Sequence, residues 1–188
     1  MSKGRLEAFS DGVMAILITI MVLELKTPEG STWQALVSRI PILLTYILSF
    51  VFLGIYWNNH HHLLQATERI NGRILWANNH LLFWLSLTPF VTGWMGHHHL
   101  EAVPTAAYGA VMLFSGCAYW ILLHAIIAAD GPESRVAQSI GGDFKGLLSI
   151  GLYALAIGLA FVYQWASDAI YAGVALMWLV PDRRLRPT

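Results

Sequence analysis

Charge is what this sequence has least of. Asp, Glu, Lys and Arg make up 12% of its 188 residues, about half the share of an average soluble domain. A single cysteine, Cys117, excludes an internal disulfide and every Cys-x-x-Cys metal or redox motif. The net charge is zero, so no basic field invites nucleic acid. Proline and glycine are scattered, which leaves no linker and no low-complexity tract, and 1–188 reads as a single domain. A nucleophile elbow, an HExxH pair, a Gly-rich phosphate loop and paired catalytic carboxylates are all missing, so no enzyme class is indicated. Glu7 and Asp11 stand where a signal peptide needs apolar residues, and no cleaved leader is expected.

What the chain has in quantity is apolar surface, with 56% hydrophobic residues and eight tryptophans. A helix crosses the bilayer core with about 20 apolar residues. The uncharged stretches Arg39–Glu68, Arg73–Glu101, Glu101–Asp130 and Lys145–Asp168 each hold one such helix and not two. Shorter runs, Gly12–Leu23 and Ala169–Pro181, flank them. The expected fold is therefore all-α and polytopic, with six transmembrane helices near 7–26, 38–66, 73–96, 103–129, 143–164 and 166–181. Pro41 falls in a first turn, where it costs little, and Pro89 is expected to kink the third helix. The stretch Asp130–Asp143 reads as a flexible loop. Trp33, Trp94 and Trp165 fall near proposed helix ends, as interfacial tryptophans do.

Alternate loops sort the cations. Lys3, Arg5, Arg69, Arg73, Arg135, Lys145, Arg183, Arg184 and Arg186 fall on one side, and Lys26 and Arg39 on the other. The positive-inside rule then puts both termini in the cytoplasm and requires an even number of spans.

The first helix is the informative one, because its carboxylates lie one turn inside its ends. Such a helix belongs inside a bundle or against water. At about 100° per residue, with Ile16 at the origin, Gly12, Ile16, Thr19, Ile20 and Leu23 share a stripe about 100° wide. Spacing alone leaves two readings of it. It is a packing face between helices, or it faces a symmetry axis, where aliphatic rings form a dewetting constriction and Thr hydroxyls offer oxygens to an ion. Asp11 is likewise either a functional intramembrane carboxylate or part of a Ser10-Asp11-Gly12 helix cap.

The pattern Arg-x-x-x-Phe-Ser-Asp-Gly-x-x-x-Ile-x-x-Thr-x-x-x-Leu, running from Arg5 to Leu23, closely resembles the first-helix signature of the transmembrane protein 175 family. The segments Trp57–His62 and Asn78–Pro89 resemble that family's second and third helices less sharply. The resemblance implies a homotetrameric, potassium-permeable cation channel in the lipid bilayer, with a central pore lined by the first helix. No Thr-Val-Gly-Tyr-Gly filter occurs here. Carried over by motif position, Ile16 would be the main constriction, Thr19 a hydroxyl layer, and Ile20 and Leu23 the rest of the narrow section. Six spans in one repeat resemble the bacterial form, which implies a bacterial inner membrane.

A buried carboxylate needs donors. The expected network holds Asp11 and Ser10 through Arg5, Trp57, His60 or His61, and Asn78 or Asn79, with Phe9 one turn after Arg5. It would lock the pore helix without touching the permeating potassium ion. His60, His61 and His62 point about 100° apart and cannot chelate one ion together. His97, His98 and His99 read as a solvated loop beside Glu101, and His124 as a buried histidine. No metal or cofactor is expected. The rival reading is a proton-coupled or other secondary transporter using Asp11 and the membrane histidines. A membrane protein without transport is a further one.

Overall fold

The structure is a computed structural model that describes residues 2–140 and 143–179. Among the described residues every regular element is helical. They are α1 (Lys3–Leu23), α2 (Trp33–Val37), α3 (Ile40–Ala66), α4 (Gly72–Ser86), α5 (Thr88–His97), α6 (Ala102–Asp130), α7 (Arg135–Ile140), α8 (Phe144–Leu159) and α9 (Gln164–Leu179).

Of these, α1, α3 and α6 are each long and apolar enough to cross a bilayer unaided. α4 and α5 follow one another with only Leu87 between them and together occupy the third predicted span. α8 and α9 have 16 residues each, a rise of about 24 Å against a hydrocarbon core of about 30 Å. The chain is thus a polytopic helical membrane protein, with α1, α3, α4–α5, α6, α8 and α9 at the six predicted positions.

The details depart from expectation in four places. Pro89 does not bend a continuous helix. The helix stops at Ser86, and Pro89 opens α5 in its first turn, where a missing N–H is harmless. A short α2, capped by Thr32 Oγ1 accepting from the Ala35 N–H at 3.3 Å, precedes α3. The stretch expected to be a flexible loop carries α7, whose Val136 is buried in the core. His124 is exposed, and its Nδ1 lies 2.8 Å from the Trp120 carbonyl of its own helix. The expected final residues of the sixth span, 180–181, and Arg183, Arg184 and Arg186 lie outside the described residues, as do Gly141 and Gly142 of the 130–143 stretch.

Two cores hold the bundle. One joins α1, α4 and the later halves of α3 and α6 through Leu6, Met14, Leu63, Leu81, Leu122 and Ile126. The other joins the middle of α3, α5, α8, α9 and the earlier part of α6 through Phe52, Met95, Tyr108, Tyr153, Tyr171 and Val174. In lipid there is no hydrophobic gain from helix association, so close approach and hydrogen bonds decide the packing. Both are present. A Cβ at Gly96 would stand 2.9 Å from the Ile42 Cα, so α5 and α3 meet nearly backbone to backbone. Gly109 makes room for the Tyr171 hydroxyl, which donates to the Thr105 carbonyl at 2.9 Å. Thr92 Oγ1 donates to Ser49 Oγ at 2.7 Å, and Ser49 shares a 3.1 Å bond with the Tyr108 hydroxyl.

The turn between α3 and α4 is held from both sides. Lys3 Nζ donates to the Gln65 and Thr67 carbonyls at 2.7 and 3.1 Å, a cation placed on the negative end of α3. The Asp130 carboxylate accepts from the Glu68 and Arg69 backbone N–H groups at 3.0 and 2.9 Å.

Candidate functional site

α1 rests on α3, α4 and α5 with one face only. Its buried residues are Leu6, Ser10, Met14, Leu17 and Met21. At about 100° per residue they fall 80° to 160° from Ile16. The stripe identified from spacing occupies the opposite side and is uncovered. Ile16 is 57% exposed, Ile20 43% and Leu23 74%. Gly12 and Thr19 are exposed as well. The Thr19 hydroxyl donates to the Ile16 carbonyl at 2.8 Å. Its single proton is thereby used within the helix, and its lone pairs stay available. The stripe is therefore a column of branched aliphatic side chains with one layer of oxygen acceptors.

At the amino-terminal end of α1 the buried face carries polar groups. Ser10 is fully buried and donates to the Leu6 carbonyl at 2.9 Å. Asn78, buried on α4, donates through Nδ2 to Ser10 Oγ at 3.0 Å. The Asn78 carbonyl oxygen lies 2.7 Å from His60 Nε2 on α3. A carbonyl only accepts, so His60 carries a proton on Nε2. Three helices are thus tied together by one chain of bonds whose hydroxyl and amide are both satisfied. Beside it, Trp57 Nε1 donates to Asp11 Oδ1 at 2.9 Å, on an exposed edge.

The other residues expected in this network make no hydrogen bond to Ser10 or Asp11 among the described residues. His61 stacks on Trp57, with ring centroids 5.8 Å apart, and bonds to Gln65 instead. Asn79 is exposed, one residue round the helix from Asn78. Arg5 lies six residues before Asp11, about 120° away around the helix, and points along the Ile16 line instead. Phe9 falls on that same line and is 53% exposed. Arg5 and Phe9 therefore extend the uncovered stripe toward the amino-terminal end.

The structure also brings to α1 residues that spacing did not single out. Thr92 Oγ1 of α5 lies 3.8 Å from Met21 Sδ, and Glu24 packs on Gly93 of α5. The available signal was the run Thr92-Gly93-Trp94-Met95-Gly96, where two glycines interrupt bulky residues in an apolar helix. Among the described residues no group of three His, Cys, Asp or Glu side chains is placed to hold a metal. His98 pairs with Glu101 at 3.2 Å on the surface.

Comparison with known proteins agrees across the chain. The sequence model of the endosomal/lysosomal potassium channel TMEM175 matches residues 5–89. A potassium channel of Chryseobacterium sp. (strain P1-3) is 53% identical over 185 residues, covering 98% of this chain and 96% of its own. A potassium channel of Streptomyces collinus is 32% identical, covering 94% and 91%. The crystal structure of a lysosomal potassium-selective channel TMEM175 homolog from Chamaesiphon minutus superposes with a TM-score of 0.84 at 27% identity, covering 96% of this chain and 98% of that one.

Proposed function

The chain belongs to the TMEM175 potassium channel family, and from that premise we propose that it is a potassium-permeable cation channel in which the α1 stripe lines the pore. Four copies surround one axis, in a bacterial inner membrane, with both termini in the cytoplasm. The observation that carries the reading is the two-sidedness of α1: Ser10, Met14, Leu17 and Met21 face the protomer, while Ile16, Thr19, Ile20 and Leu23 are left uncovered.

Flux in this reading is passive and driven by the gradient. An aliphatic ring at Ile16 offers nothing in place of an ion's hydration shell, so a narrow ring blocks and a slightly wider one passes a largely hydrated ion. Thr19 supplies the oxygen layer next to it. The Ser10–Asn78–His60 chain and the Trp57–Asp11 bond hold α1 in register with α3 and α4. Potassium is the transported species, and no metal or cofactor takes part.

The transporter alternative needs a relay from Asp11 through the histidines. The bonding pattern favours the channel, because Asp11 is engaged by Trp57, His60 by Asn78 and His61 by Gln65. Potassium flux through the purified protein in liposomes tests the reading. Ile16→Asn should raise flux, and Thr19→Ala should lower the preference for potassium over sodium. Unchanged permeation and selectivity in both variants would remove the pore assignment.

A further inference from the structure

Glu24 follows Leu23, the last residue of the uncovered stripe, and caps the carboxyl-terminal end of α1. Its side chain lies against α5. A Cβ placed on Gly93 would stand 2.8 Å from Glu24 Oε2 and 3.1 Å from Cδ. Gly93 is buried and has no positive φ, so the glycine serves space and not backbone conformation. The seat supplies shape only. Among the described residues the Glu24 carboxylate has no hydrogen bond and no ion pair, and Lys26, two residues on, does not pair with it. The carboxylate is thus held by packing, half-buried and with both oxygens uncommitted, at the Leu23 end of α1.

We propose that Glu24 is a specificity-determining residue of the channel: its carboxylate, kept in place by the Gly93 notch, concentrates cations at the Leu23 end of the pore. The inference rests on the channel reading and goes beyond it, since that reading needs only the aliphatic and hydroxyl layers. A fixed charge at a pore end acts through the local ion concentration, so its effect must fade as salt shortens the screening length. That length falls from about 30 Å at 0.01 M to about 3 Å at 1 M.

Single-channel potassium currents in uncharged bilayers test this. With Glu24→Gln, conductance should fall roughly two- to five-fold at about 0.02 M potassium and match the unmodified channel near 1 M. Gly93→Ala should alter the low-salt conductance of the otherwise unmodified protein and add nothing in the Glu24→Gln background. Two outcomes overturn the proposal while the channel reading stands: a Glu24→Gln channel with unchanged low-salt conductance, or one that loses conductance equally at every salt concentration. An unmodified protein that passes no potassium current would instead sink the channel reading, and this inference with it.

Discussion

Asn78 donates to Ser10 Oγ at 3.0 Å and, through its other amide atom, takes the ring N–H of His60 at 2.7 Å. A single buried amide thereby ties α4 to both α1 and α3. Asn78→Ala leaves a buried hydroxyl and a buried imidazole without their partner. It should cost about 1–2 kcal/mol and lower the thermal midpoint in detergent. Ser10→Ala should cost less, because it strands only the Asn78 amide. Equal midpoints for the unmodified and Asn78→Ala proteins would contradict the structural role.

Trp57 and Asp11 form the exposed half of this anchor. Trp57→Phe keeps most of the ring and removes the donor, and Asp11→Ala removes the acceptor. Each should cost about 0.5–1.5 kcal/mol, and the double variant about as much as either single one, because both act on one bond. A double-mutant cycle on thermal or denaturant unfolding reads this directly. Strict additivity would show that the two residues act separately.

Thr19→Val keeps the shape of the side chain and deletes its oxygen. Thr19 is exposed in the protomer and its only proton goes to its own helix, so the unfolding midpoint should hardly move. The potassium-to-sodium permeability ratio, measured from bi-ionic reversal potentials, should fall. An unchanged ratio would mean that the hydroxyl layer takes no part in selection.

Asp130→Ala removes the acceptor of two backbone N–H groups in the α3–α4 turn. Amide exchange at Glu68 and Arg69 should accelerate by roughly ten-fold or more, given about 1.5–3 kcal/mol for hydrogen bonds to a charged group. Exchange within the buried part of α6 should stay slow. Unchanged rates at Glu68 and Arg69 would mean that the carboxylate does not hold the turn.

Much of the architecture is legible because charged residues punctuate the chain. Arg39, Glu68, Glu101 and Asp130 bracket α3 and α6 to within a few residues, since a charge in hydrocarbon is costly. The break at Leu87 is not legible in this way. A proline in an apolar run signals a bend, but whether it bends a helix or starts a new one depends on whether the preceding turn stays bonded. α7 escapes notice because its six residues are too few to show a period, although Val136 is buried in the core. In the site, periodicity groups Gly12, Ile16, Thr19, Ile20 and Leu23 on one side of α1, but spacing alone does not say whether that side is packed or uncovered. Arg5 is a cation near Asp11 in sequence, yet six residues put the two side chains on different sides of the helix. The two glycines of the Thr92–Gly96 run mark a close approach, but what Gly93 receives depends on what lies across from it.

The interruption at Leu87 has a mechanical corollary. Ser10, near one end of α1, is bonded to the rod before the break, while Met21 and Glu24, near the other end, rest on the rod after it. α1 is thus moored fore and aft to two separate levers. In the proposed pore, a change of angle between those levers would reach Ile16 as a tilt of α1 and not as a stretch.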